Sequence, residues 1–276
     1  MPRARRPPAR RTLPPTGIDR IDRWASEQPC TIDEYIGAVS EYVRRSRELN
    51  TGPKKAGQIR LSNMLGQALA DELRQRLPQF RHGIIGERKV SGALRSVNAD
   101  VSEIHPIDGL RLAIELKPVN LAVGRAIWNR FGDIRTFAVN LHLKFPFCVI
   151  GGVLVILTYE ETGTREAQEA DAQELAVAEA TELPSLELEA PIAAADSAVR
   201  RRDTRPLINR AVARLIRAGG RRTEADAPHL LEGIAVLVYD PDTSSIDPQI
   251  PPTGSGLRWS EFIDALVTAY ESRFEE

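Results

Sequence analysis

Apolar positions along the chain repeat with two different periods, and the switches between them lay out the elements in order. After Thr31, apolar residues recur at Ile32, Ile36, Val39 and Val43, the spacing of a helix with one buried stripe. Thr31 followed three residues later by Glu34 has the spacing of a capping box, so this helix starts at Thr31. It should stop near Asn50-Thr51-Gly52-Pro53. A second helix is predicted from about Leu61 to Leu77, ended by Pro78, and a strand near Gly83 to Val90. Asp108-Gly109 is a hairpin-turn dipeptide, since both residues tolerate positive φ, and it joins two strands running through Asn98 and Lys117. Pro118 interrupts the backbone. The crossover helix that follows, about Leu121 to Leu141, carries Val123, Ile127, Ile134, Ala138 and Leu141 on one face. Arg125, Asn129, Asp133, Thr136 and Asn140 follow another face, flanked by Trp128 and Arg130. Phe145 to Leu157 is apolar throughout and of strand length, which fits a central strand. Beyond an acidic stretch come a basic amphipathic helix (Arg205 to Ala218, ended by Gly219-Gly220), a strand (Ile234 to Tyr239), a loop (Ser244 to Gly256) and a terminal helix (Trp259 to Phe274).

Helices alternating with strands in this order give an α/β fold. A chain of 276 residues with 42% hydrophobic content can bury a substantial core. No run is long and apolar enough to span a membrane, and no apolar segment follows the N-terminal arginines, so a cytoplasmic protein without a membrane partner is expected. Cys30 and Cys148 lie far apart and lack zinc spacing, which fits reduced, buried thiols. Four segments follow: a disordered basic arm at 1–17, N-terminal helices and a catalytic core at 18–159, a flexible acidic insertion at 160–203, and the remainder of the same domain at 204–276.

Charge sharpens this division. The net charge of -1 hides residues 160 to 198, which hold eleven acids and one base, a net of -10, so the rest of the chain stands at +9. A positive body suits binding to a phosphate backbone. The insertion reads either as a solvated loop or as a mimic of nucleic-acid charge. The arm Pro2 to Arg11 has five arginines and no acid, and reads equally as a phosphate-binding arm or a tail.

The chemistry concentrates in the hairpin. With the turn centred near Ile107 and Asp108, Asp100 falls roughly opposite Glu115, while Glu115 and Lys117 share a face and Leu116 points into the core. Two carboxylates and an ammonium on one patch suit phosphodiester hydrolysis, because Mg²⁺ is held by one or two carboxylates and keeps positions for water and phosphate oxygens. Asp100 and Glu115 would be ligands and Lys117 an electrostatic helper. Surface hairpins also carry such charges, but this chain has five lysines against thirty-two arginines, and only two acid-x-Lys runs. The other, Glu87-Arg88-Lys89, lacks an upstream partner, because Asp71 sits in a helical pattern. Of the histidines, His105 reads as a turn residue, and none of His82, His105, His142 and His229 has a spaced catalytic partner. Lys144 reads as a DNA contact or a surface charge.

On Asp100 with Glu115-Leu116-Lys117, the segment from about Ile59 to Tyr239 resembles the PD-(D/E)XK nuclease superfamily, which includes most type II restriction endonucleases. Ala99 stands where that pattern often has proline. The resemblance implies a restriction-endonuclease-like core of helix, three antiparallel strands, helix and strand, here with extra N- and C-terminal helices. It implies Mg²⁺, with Mn²⁺ able to substitute, held by Asp100, Glu115 and the Leu116 carbonyl. Phosphate contacts would come from Arg125, Asn129 and Arg130, and a helix contribution from Gln67 or Glu72. It further implies double-stranded DNA as substrate, products with 5′-phosphate and 3′-hydroxyl ends, a homodimer, and a cognate DNA methyltransferase as genetic partner. A repair or defence nuclease recognising structure or damage, and a non-catalytic DNA-binding protein, stay open beside a restriction enzyme.

Overall fold

The computed structural model describes residues 30–46, 51–77, 84–119, 123–162 and 200–274; the arm at 1–17 and residues 163–199 of the acidic stretch lie outside the described residues. A six-stranded mixed sheet separates two helical layers, each with its own apolar core. In chain order the elements are α1 (Ile32–Arg45), α2 (Thr51–Arg76), β1 (Ile84–Ser91), β2 (Ser96–His105), β3 (Gly109–Val119), α3 (Val123–His142), β4 (Val149–Leu157), β5 (Tyr159–Thr162), β6 (Arg200–Asp203), α4 (Arg205–Leu215) with a 3-10 turn (Ile216–Ala218), β7 (Gly233–Asp240), β8 (Ser245–Ile246) and α5 (Trp259–Phe274).

The sheet order is β1-β2-β3-β4-β7-β8, with β1, β2 and β3 antiparallel and β3, β4 and β7 parallel. The two parallel central strands β4 and β7 are buried on both faces, which explains their unbroken apolar sequence. α1, α2 and α5 cover one face, where Leu112, Ile114 and Leu116 meet Leu65, Leu69, Phe262 and Leu266. α3 and α4 cover the other, where Ile127, Ile134 and Ile208 meet Ala113, Leu154 and Val236.

Several boundaries differ from the sequence expectation for identifiable reasons. α1 opens on the expected capping box, with Thr31 and Glu34 satisfying each other's backbone N–H. α2, however, begins at Thr51, about ten residues early, because Pro53 falls in its first turn, where a missing N–H leaves no bond unmade. β3 runs through Pro118 rather than stopping there, since by that point it has lost β2 as a neighbour and keeps only β4. The expected loop at 244–256 contains the short strand β8. The ends of the expected insertion are ordered as well: β5 and β6 pair from Tyr159↔Asp203 to Thr162↔Arg200. Glu160 there accepts a hydrogen bond from Val123 N (2.8 Å), at the electropositive start of α3.

Two buried polar arrangements fix the tertiary structure. The first is the side chain of Asn140, which accepts from Leu94 N (2.7 Å) and Arg95 N (3.1 Å) and donates to Arg95 O (2.8 Å). It clamps the β1–β2 hairpin tip onto α3, and Gly92 is needed beside it, because a Cβ there would stand 2.2 Å from Asn140 Nδ2. The second is Glu232, whose buried carboxylate takes Ile150 N at 2.7 Å, Arg221 at 3.0 Å and Arg273 at 2.8 Å, with His142 Nε2 at 3.3 Å. Burial alone would raise the Glu232 carboxyl, but His142, Arg273 and the Ile150 amide outweigh it and hold it below the usual value. The four side chains tie α3, the segment before β7 and α5 into one unit, with Ile150 of β4 joined to the same carboxylate.

Two stability predictions follow from these clusters. Gly92→Ala should destabilise the fold by about 1–3 kcal/mol in urea unfolding, since Asn140 must move and its hydrogen bonds with it. Glu232→Gln should cost roughly 3–5 kcal/mol at neutral pH, because two buried guanidinium groups lose their counter-charge. A carboxyl lowered by folding stabilises fully above its unfolded value of about 4.3, and that contribution is lost as pH falls through the folded value. The gap between wild type and Glu232→Gln should therefore shrink below about pH 4, and a gap constant across pH would refute the assignment.

Candidate active site

The pairing of β2 with β3 stops at Val101↔Ile114, and the same register continued by one step sets Asp100 across from Glu115. The turn alone does not produce that alignment. His105 pairs with Gly109 around a three-residue turn, Pro106 to Asp108, with Gly109 at φ +73°. Carried forward unchanged, this register would set Asp100 opposite Ile114. A β-bulge corrects it: Ile104 pairs with Leu110 but Glu103 with Leu112, so Arg111 is the extra residue. Arg111 is held in place by Asp108 (Nε to Oδ2, 2.8 Å) and by the ring of Phe274, 5.0 Å away.

At Asp100 the strand also changes sides. Val101 packs in the core under α2 and α5, whereas Ala99, Val97 and Val90 pack in the core under α3. Strict alternation would put Ala99 with Val101, so β2 twists between them. The register of β1 on β2 shifts over the same stretch, between Ile85 and Arg88. Asp100 Oδ2 accepts a hydrogen bond from Leu116 N at 2.7 Å, filling the ladder position that β2 has vacated.

Glu115 and Lys117 lie on the β3 face shared with Ala113 and Val119, toward α3, and Leu116 lies in the opposite core, as the alternation predicts. Their side chains form an ion pair and keep 12% and 22% of their surface exposed, so the pair borders solvent without standing in it. The Glu115 carboxyl is pushed up to about 7: burial raises it most, Lys117 opposes, and the charges of Asp100 and Asp133 add to the rise. Gly152, which pairs with Glu115, allows α3 to come close, since a Cβ there would stand 2.5 Å from Ile134. Position 133 thus sits above the site. Asp133 is half exposed, 3.3 Å from Arg130. The sequence pattern placed Asp133 in a polar row without linking it to Glu115; only the close approach of α3 to Gly152 makes that link.

The remaining expected site residues are distributed as follows. Asn129 and Arg130 are exposed on α3, and the side chain of Arg125 lies outside the described residues. Lys144 is exposed; its Nζ donates to Ser91 O at 2.8 Å and lies 5.3 Å from the Phe145 ring, a contact to the β1–β2 hairpin. Gln67 and Glu72, on α2, make contacts of their own. Gln67 donates to Asp71 at 2.8 Å, within a group that includes Cys30 N and Arg74, and Glu72 accepts from the Trp259 indole. The first contact lies within α2 and the second joins α2 to α5, both helices of the layer that packs on the face of the sheet carrying Leu116. His105 behaves as a turn residue, its Nδ1 accepting from Ile107 N at 3.3 Å. Cys30 and Cys148 are free and buried, and burial raises both thiols. His142, by contrast, is part of the buried Glu232 cluster.

Among the described residues no group of three or more His, Cys, Asp or Glu side chains is placed to hold a metal ion. The donor set here is smaller, two crowded carboxylates beside a backbone carbonyl at Leu116. That set fits a hard divalent cation completing its shell with water and phosphate oxygens. Nothing matched when the chain was compared with protein-family models, with curated proteins and with solved structures.

Proposed function

We propose that this chain is a Mg²⁺-dependent endonuclease that hydrolyses DNA phosphodiester bonds, and specifically a type II restriction endonuclease acting on double-stranded DNA as a homodimer in the cytoplasm. One observation carries the proposal. Where β2 parts from β3, Asp100 and Glu115 come together with Lys117 on a partly open face, and burial, with the like charge of Asp100 added, raises the Glu115 carboxyl to about 7. Groups shifted by burial and like charge at an opening mark sites built for chemistry rather than for stability. Mixed α/β architecture supports the reading, and no helix among the described residues is long and apolar enough to cross a membrane.

In this reading Asp100, Glu115 and the Leu116 carbonyl hold the cation. Bound Mg²⁺ would supply an acidified water and offset charge on the scissile phosphate. Asp100 is oriented by the Leu116 amide, which fixes its carboxylate at the fork. Lys117 exchanges its contact with Glu115 for the attacking water or a phosphate oxygen, placing positive charge where negative charge develops. Arg130, on the α3 edge above the site, would neutralise a neighbouring phosphate.

A digest of plasmid and phage DNA, with Mg²⁺ or with EDTA, tests the activity directly. Discrete Mg²⁺-dependent fragments are expected, and Asp100→Ala or Lys117→Ala should lower the rate by at least about 100-fold, Lys117→Ala while leaving the fold intact. Smeared or nicked products would point to a structure-recognising nuclease, and full activity in either variant would remove the assignment. Glu115 offers a second check. Its carboxyl near 7 means that folding disfavours the ionised form, so Glu115→Gln should stabilise the metal-free protein by on the order of 1–3 kcal/mol at pH 8. For a carboxyl raised on folding, that gain shrinks as pH falls through 7 toward the unfolded value. Destabilisation at pH 8 would contradict the electrostatic account.

A further inference from the structure

The two helical layers differ sharply in charge. The layer of α1, α2 and α5 carries eight acids and eight bases, whereas α3, α4 and the 3-10 turn after α4 carry seven arginines and one acid, Asp133. Glu115 and Lys117 lie on the face of the sheet that the arginine-rich layer covers.

Within that layer α4 is the more one-sided element. From Arg205 to Ala218 it has four arginines and no acid. Ile208, Ala211, Val212 and Leu215 point into the core, which leaves Arg210, Arg214 and Arg217 together on the solvent side, at the i, i+4, i+7 spacing of a single helical face. Arg205 is already engaged, by Asp203 and Asp247. No ion pair to Arg210, Arg214 or Arg217 occurs among the described residues. Arg214 instead lies 4.9 Å from the ring of Trp128, an α3 side chain that remains 38% exposed. This contact links the α4 row to the helix that borders the active site.

Three exposed guanidinium groups in line, without an acidic partner among the described residues and adjoining an exposed indole, form a surface complementary to a polyanion with regularly spaced charges. We infer that the Arg210-Arg214-Arg217 row of α4, with Trp128 at its edge, binds the DNA backbone beside the cleavage site and supplies sequence-independent affinity. The inference rests on the nuclease reading. It adds to it a contact surface on a helix separate from the catalytic strands, which positions the duplex without reading its bases.

The test is fluorescence anisotropy of a labelled duplex of random sequence, in EDTA so that no strand is cut, over a range of salt. Three proteins are compared: wild type, Arg210→Gln/Arg214→Gln/Arg217→Gln, and a charge-matched control, Lys54→Gln/Lys55→Gln/Arg76→Gln, on the balanced layer. Because each lost phosphate contact removes roughly 0.9 from the salt slope, the α4 variant should lose about 2–3 in slope and at least about tenfold in affinity at moderate salt. The control should bind as wild type does. All three should melt alike, and the α4 variant should still cut DNA with Mg²⁺ when protein is in excess. Unchanged binding by the α4 variant, or equal losses in the control, would overturn the inference while leaving a cleaving wild type as a nuclease. A wild type that neither binds nor cuts DNA would remove both readings. Binding to phosphatidylserine vesicles without binding to the duplex would overturn the inference in favour of a lipid surface.

Discussion

The amide of Leu116 needs a hydrogen-bond acceptor in a nearly buried strand, at a point where β2 no longer offers one. Leaving such an amide unmet costs about 1–3 kcal/mol. Asp100 meets the need with its side chain, and the arrangement of the site depends on that substitution. A carboxylate pinned at the end of a ladder cannot swing away, so negative charge is built in beside Glu115. The same bond lets β2 leave β3 and carry the β1–β2 hairpin across to α3, where Asn140 receives its tip. One hydrogen bond thus opens the sheet and directs an acid into the opening.

Two partly or fully buried glutamates show what the protein does with charge. Glu232 is surrounded by two arginines, a histidine and a backbone amide, and its carboxyl is held low; it binds elements together. Glu115 is raised first by its burial, and its one lysine is set against two neighbouring acids, so its carboxyl stays high. Evolution toward stability alone would remove the second arrangement, whereas the first repays its burial through four contacts. The contrast separates a carboxylate that supports the fold from one that the fold tolerates.

Much of the architecture was legible because local signals and packing agree. The capping box at Thr31, the apolar run into Leu157 and the amphipathic stripe of Trp259 to Phe274 all gave the elements that form. The site was legible in part: alternation placed Glu115, Leu116 and Lys117 on their correct sides. Its register came out right although the bulge at Arg111 was not foreseen, since an approximate turn centre happened to absorb the one-residue offset. Asp133 was not recognisable as a neighbour, because its closeness to Glu115 depends on a helix approaching Gly152 across the sheet. The contacts of Lys144, Gln67 and Glu72 were not legible either. Each has chemistry suited to a site, and each is spent on a contact distant in sequence or confined to another layer.

β5 and β6 join at the base of residues 163–199 through a paired ladder, with Glu160 fastened to the start of α3 and Thr204 to the end of β4. The two chain ends are therefore set one strand spacing apart, whatever lies between them. The ladder thus fixes, through four residue pairs, where the chain leaves the described fold after Thr162 and where it re-enters it at Arg200.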